Sequence, residues 1–190
     1  MYHSETSIDD FLRQLPDEIA EGFLSLGHGL DLHRGTHILE QGQVCGHLYK
    51  VESGILRTYR RWGDDPEQEI TSGFSFPGDF DTSPSSLILK APSLENIQAV
   101  TDARVIQFDF DAISALRDQS PALNELIFFA FADYMAATEQ VLFDMRVLSA
   151  RQRYNKLLAE HPGYVQQIPL KYLASFLNMK VETLSRVRRG

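Results

Sequence analysis

The spacing of hydrophobic residues changes along the chain and divides it into distinct textures. The first 30 residues read as helical. Ser7 can cap a helix in which Ile8, Phe11, Leu12 and Leu15 recur at helical spacing, and Pro16 ends it. A second helical stretch carries Ile19, Phe23, Leu24 and Leu26 and stops at Gly27 and Gly29. From residue 31 to 109, short runs rich in Ile, Val, Tyr and Phe alternate with turn residues. Runs at 36–40, 47–52, 55–62, 70–76, 97–100 and 104–108 are punctuated by Gln41-Gly42, Ser53-Gly54, Gly63-Asp64-Asp65-Pro66 and Pro77-Gly78-Asp79. The last of these predicts a type II turn with Gly78 at positive φ. Strands this short, set roughly 8–12 residues apart, predict a sandwich or barrel.

Residues 110–116 predict a short helix. Ser120 then caps a long one, with Pro121 at its first position, running to about residue 148. At 1.5 Å per residue this is a rod of about 40 Å. It is apolar on two faces. Leu123, Ile127, Ala130, Tyr134, Ala137 and Val141 step four and three residues alternately, a coiled-coil seam. Phe128, Phe131, Met135, Leu142 and Met145 form the other face. A helix greasy on two sides needs two partners. The barrel covers one, and a second copy of the helix, meeting it along the Leu123–Val141 seam, makes a two-fold dimer.

Residues 151–160 predict a basic amphipathic helix with Tyr154, Leu157 and Leu158 inward, broken by His161-Pro162-Gly163. A short extended piece is expected at 164–168. The segment 169–190 has the spacing of a helix-turn-helix. Ala174 is the small residue where two helices cross, and four positions on Asn178 tolerates the left-handed turn. Leu173, Leu177, Met179, Val181, Leu184 and Val187 are its apolar anchors. Lys180, Glu182, Thr183, Ser185, Arg186 and Arg189 lie on the outer face of the second helix, where groups read base edges and phosphates. Glu182 can accept from a cytosine amine and Arg186 can meet guanine or phosphate, while Lys171, Arg188 and Arg189 suit phosphates.

Charge sharpens this division. The chain has 190 residues, enough for one to two domains, with 43% hydrophobic and 23% charged residues. Its net charge of −8 argues at first against nucleic acid. Residues 146–190, however, hold nine Lys and Arg against two acids, whereas residues 1–145 hold nine against 24. An acidic body carries a basic tail. The one cysteine, Cys45, excludes an internal disulfide and any zinc or iron–sulfur site built from cysteines of this chain alone. No apolar run approaches 18 residues, so no membrane span is expected. The polar N-terminus lacks a signal pattern, and a reducing cytoplasm is the expected compartment. A metal-dependent barrel enzyme is not expected. His33 and His37 are four apart, about 13 Å along a strand, and His28, His47, His3 and His161 add no ligand pattern.

The chain resembles the Crp–Fnr family of bacterial transcription regulators. The resemblance rests on Glu40-Gln41-Gly42, on Leu48-Tyr49-x-Val51-x-Ser53-Gly54, on Pro77-Gly78-Asp79-Phe80, and on residues 181–186, which look like that family's recognition helix. It implies an α+β fold: a cyclic-nucleotide-binding-type β-roll with N-terminal helices over 1–118, a dimerisation helix over 119–148, and a C-terminal winged helix-turn-helix over 149–190. It implies double-stranded DNA, a second copy, a small-molecule effector and RNA polymerase as partners. The ligand site departs from the family. The Gly-Glu pair that grips a ribose is replaced after Phe80 by Asp81-Thr82-Ser83, and Pro92-Ser93-Leu94-Glu95-Asn96 stands where an arginine meets the cyclic phosphate. High-affinity cyclic-AMP or cyclic-GMP binding is therefore not expected. Thr82, Ser83, Ser93 and Thr138 are the candidate lining for another ligand. The family's four-cysteine oxygen site is absent and no haem ligand pair is evident, so no cofactor is expected. Val181 replaces the guanine-contacting arginine of the best-known members, which shifts the expected operator. The alternative is a small-ligand sensor or protein-interaction module with a vestigial DNA reader.

Overall fold

The computed structural model describes residues 13, 15–63 and 68–189. The helix expected from Ser7 through Ile8, Phe11 and Leu12, the Asp64-Asp65-Pro66 turn and Gly190 lie outside the described residues. Helix α1 (Asp17–Ser25) leads into β1 (Gly27–Leu32), β2 (His37–Leu39), β3 (His47–Ser53), β4 (Leu56–Arg61), β5 (Glu69–Ser75) and β6 (Phe80–Asp81). Helix α2 (Pro84–Leu89), β7 (Asn96–Ala99), β8 (Ala103–Asp109) and α3 (Phe110–Arg117) complete the roll. Then come α4 (Pro121–Val147), α5 (Ala150–Glu160), α6 (Leu170–Phe176) and α7 (Val181–Arg189).

The strands form two four-stranded antiparallel sheets, ordered β1-β8-β3-β6 and β2-β7-β4-β5. Alternation sets which side chains enter the space between them. Tyr49 and Val51 of β3, Val105 and Phe108 of β8, Leu56 of β4 and Ile97 of β7 are buried there, with Leu32 and Leu39. α1 and α3 close one end, and Phe23 stacks on Phe108 at 4.8 Å between ring centres. The turn at Pro77-Gly78-Asp79 is present: Gly78 has φ +97° and the Asp79 N–H donates to the Phe76 carbonyl at 2.9 Å.

The second helix ends at Ser25, ahead of Gly27 as expected, and Gly27 and Gly29 then lie inside β1, paired to β8. A Cβ on Gly27 would fall 2.6 Å from Ile106, and one on Gly29 2.7 Å from the Arg104 guanidinium, so these glycines mark a close approach within a sheet. Residues 164–168 are not extended. Tyr164 and Val165 both donate to the His161 carbonyl, and Val165 and Ile168 turn into a buried cluster. The expected wing is not seen: among the described residues no strand follows β8, and the stretch between α5 and α6 closes in turns.

α4 begins as its sequence dictates, with the Ser120 hydroxyl accepting from the Leu123 N–H. Its two apolar stripes are used differently from expectation. Leu123 is fully buried within the chain and Ala137 is buried too; Ile127, Ala130 and Val141 are half-buried, and Tyr134 is largely open. On the opposite stripe Phe128, Met135 and Leu142 stay bare, 75%, 60% and 57% exposed, while Phe131 and Met145 are half-buried. Both stripes step by threes and fours, so their spacing alone does not say which one the roll takes.

Candidate nucleic-acid interface

The C-terminal helices assemble on local signals. Ser149 and Gln152 form a capping box at the start of α5. Arg153 donates to the carbonyls of Leu148 at 2.6 Å and Leu177 at 3.1 Å, tying the α4 exit to the end of α6. Asn178 has φ +49°, the left-handed geometry its side chain tolerates best after glycine. The Met179 N–H then donates to the Ala174 carbonyl at 3.0 Å, and Ala174 is buried where α6 and α7 cross. Leu173, Leu177 and Leu184 are buried with Tyr154, Leu157, Val165 and Ile168, and Val187 packs against them. α6 and α7 thus form a tight two-helix hairpin on a shared core.

One face of α7 is left open. Lys180, Glu182, Thr183, Arg186, Arg188 and Arg189 are exposed and Ser185 is half-buried. Arg189 folds back to the Ser185 carbonyl at 3.2 Å. Arg186, Arg188 and Arg189 on α7, with Lys180 just before it, against the one acid Glu182 make a compact positive surface on an otherwise acidic chain. Lys171 is placed differently: it points toward Glu69 of the roll at 3.8 Å. Val181 is partly exposed rather than fully anchored.

Helices α5–α7 share their core with the roll. Ile55, Phe74, Phe76 and Val100 belong to the same buried cluster as the α5–α7 leucines. Phe74 meets Phe176 edge-on at 5.3 Å, and Phe76 stacks on His161 at 4.1 Å. On the outer face of β4, Arg57 is only 2% exposed. Its guanidinium lies between two rings, 4.0 Å from Tyr59 and 3.5 Å from Tyr172 of α6. It donates to both oxygens of Glu69 at 2.9 and 3.0 Å and to Gln98 at 2.9 Å. The Ser175 hydroxyl accepts from the Thr71 N–H at 3.0 Å, so α6 occupies part of the edge of β5. None of Arg57, Glu69 and Tyr172 stands out in the sequence. Each is an ordinary strand or helix residue, and the contact joins positions more than 100 apart.

The candidate ligand residues are brought together only in part. Ser83 and Ser93 are buried and their hydroxyls meet at 3.1 Å. Thr82 turns to the other side, donating to the His47 carbonyl at 2.9 Å beside Cys45, and Thr138 bonds the Tyr134 carbonyl of its own helix. Between the sheets lies Asp81. Its carboxylate accepts from Ser75 at 2.9 Å and, more weakly, from Thr58 at 3.4 Å. Burial pushes its carboxyl up to about 7, and the charges of Glu95 and Asp79 push the same way against the hydroxyl bonds. The nearby cation, Arg60, is bound to Glu95 at 3.3 Å. Partial burial of the Tyr134 hydroxyl on α4, then the fields of Glu95 and Asp81, raise it above the usual range. Among the described residues no cluster of three or more His, Cys, Asp or Glu is arranged to hold a metal ion.

Comparison with known proteins agrees with this architecture. Residues 30–120 match the family model of the cyclic nucleotide-binding domain. No curated protein matches the chain. Among solved structures, FixK2 from Bradyrhizobium japonicum superposes with a TM-score of 0.74 at 15% identity, over 86% of this chain and 83% of its own. The c-di-GMP responsive global regulator CLP of Xanthomonas campestris gives 0.70 at 17% identity, over 92% and 90%. The Thermus thermophilus catabolite activator protein gives 0.59 at 22% identity, over 94% and 84%. At these identities the likeness is one of fold: a cyclic-nucleotide-binding-type β-roll followed by helices.

Proposed function

We propose that the chain is a dimeric, sequence-specific DNA-binding transcription regulator of the Crp–Fnr type. The observation that carries this reading is the exposed cationic face of α7 on a helix-turn-helix held by Ala174 and the left-handed Asn178. Glu182, Thr183, Ser185 and Arg186 are the base readers, while Lys180, Arg188 and Arg189 hold phosphates. Lys171 joins them only if it leaves Glu69. The test is electrophoretic mobility shift on operators selected from a random DNA pool. Arg186→Ala should cost about 1–3 kcal/mol on the selected sequence without unfolding the protein. Binding should fall steeply with salt as phosphate counterions are released. A wild-type chain that prefers no duplex over any other sinks the proposal.

The second copy docks on the bare stripe of α4. Phe128, Met135 and Leu142 repeat every seven residues, the period at which two helices keep one seam in contact. By length and hydropathy α4 could cross a bilayer, but Glu125, Asp133, Glu139 and Asp144 interrupt it and its other stripe is packed on the chain itself. That combination fits a second amphipathic helix rather than lipid. Met135→Glu should turn a dimer into a monomer in sedimentation and abolish operator binding. A variant that stays dimeric moves the seam elsewhere.

The roll does not suit a cyclic phosphate. Asp81 and Glu95 occupy the inner site, Arg60 is already paired, and a buried anion there would lack its charged donors, at roughly 1.5–3 kcal/mol for each missing bond. Micromolar binding of cyclic AMP in calorimetric titration would overturn this.

A further inference from the structure

We propose that Arg57 is a positioning residue of the DNA reader: clamped between Tyr59 and Tyr172 and forked onto Glu69, it holds α6 on the roll in an orientation that leaves the α7 reading face open. This rests on the DNA-binding reading above and assigns a role to a residue far from the reading helix.

The geometry is specific to a guanidinium. β4 alternates, so Leu56 and Thr58 face the interior of the roll while Arg57 and Tyr59 face outward. An outward arginine would ordinarily extend into water. Here it is buried because Tyr172 lies 3.5 Å above it. The two rings fix the plane of the group, and the two bonds to Glu69 fix its rotation within that plane. A lysine could keep the charge but neither constraint. An apolar residue could fill the space and bury as much surface, so what the arginine adds is direction.

Glu69 is engaged by more than Arg57. Its carboxylate lies 3.8 Å from Lys171, and its carbonyl accepts from Ser175 at 3.4 Å. Residues 171, 172 and 175 form one face of α6, so a single glutamate on β5 and a single arginine on β4 address the helix along its length. Those contacts fall on α6 and leave α7 alone. Leu184 and Val187 pack with the reader's own core, whereas Lys180, Glu182, Thr183, Arg186, Arg188 and Arg189 remain in solvent. The exposure settles the sign. A clasp that restrained the reader would cover the reading face. This one leaves it open, so releasing the clasp disperses the reader's orientation and weakens specific binding.

The test compares wild type, Arg57→Lys, Tyr172→Leu and Tyr172→Phe, as full chains without added ligand. Each is measured on a selected operator, on the same half-sites with altered spacing, and on a random duplex. Tyr172→Phe keeps the ring and should match wild type. Arg57→Lys and Tyr172→Leu should bind the operator at least about tenfold more weakly, keep random-duplex affinity within about twofold, and lose the preference for one half-site spacing. A general loss of folding would lower both duplex affinities together and would not produce that split. If both variants bind the operator as well as wild type or better, Arg57 does not position the reader. If wild type itself prefers no duplex, the DNA reading has failed, a separate result visible before any variant is made.

Discussion

Strand β4 borders two buried charges, one on each face, and the molecule neutralises them in opposite ways. On the inner face Thr58 donates to Asp81, whose other partner is the Ser75 hydroxyl and whose charged neighbours, Glu95 and Asp79, are acids. On the outer face Arg57 has a carboxylate, an amide and two rings. The inner group reduces its cost by keeping a proton; the outer one keeps its charge and is matched by a partner. A titrating group can adapt in place, whereas an arginine cannot give up its proton and must be built around. The first arrangement places a titrating group inside the roll, and the second ties the roll to α6.

The outer centre should break hardest. Glu69→Ala leaves a permanent cation beneath α6 without its carboxylate. Removing one partner of a buried pair costs about 3–5 kcal/mol, and the loss should appear as a lower urea midpoint with little change in slope. A loss under about 1 kcal/mol would mean that water reaches Arg57 and that the pair behaves as a surface contact.

The inner centre should break more gently and only on one side of neutrality. Asp81 has its folded pKa raised from 3.8 to about 7, so between those values the native state holds a proton that the unfolded chain has released. The stability contributed by this group is full below about pH 4, declines as pH rises, and is gone above about 7. The shift of about three units sets a ceiling near 4 kcal/mol. Asp81→Asn keeps one acceptor oxygen for Ser75 and cannot ionise. It should be more stable than wild type at pH 8, with the difference shrinking toward pH 4.5. Parallel curves for the two proteins would show that Asp81 does not titrate in this range.

The contrast also marks where the sequence is readable. Local signals act over a few residues, and they place β3, β4, β5, β7 and β8 to within a residue or two, along with the Ser120 cap and the Ala174–Asn178 turn. Features set by distant neighbours escape. Gly27 and Gly29 mark the end of a helix in the sequence, but that they also open β1 shows only once the Ile106 and Arg104 side chains that crowd them are known. The two-residue strand β6 exists because Tyr49 and Lys50 of β3 pair with it. Arg57 and Tyr172 carry no mark of each other. The two stripes of α4 illustrate the same limit, because equal spacing specifies two seams and only the roll's position decides which is covered. The α6–α7 turn that carries the proposed DNA-reading residues was legible because its signals are local, and the Arg57 contacts that hold α6 on the roll were not.

The smallest effect tests the seam between the two centres. Thr71 lies on β5 between the outward Glu69 and the inward Ser75, and its N–H already serves Ser175. Its side-chain hydroxyl is buried and has no hydrogen-bonding partner among the described residues. Valine has nearly the same shape with a methyl in place of that hydroxyl, so Thr71→Val removes an unmet polar group and leaves the strand pairing and the N–H bond intact. A gain of about 1 kcal/mol is expected, the lower end of the range for a buried unsatisfied group. It should appear in denaturant unfolding with DNA affinity unchanged. A loss of similar size would mean that the hydroxyl is satisfied in solution and that the seam between roll and reader is more open than Arg57 requires. That outcome would weaken the case for a rigid clasp at the same stretch of β5.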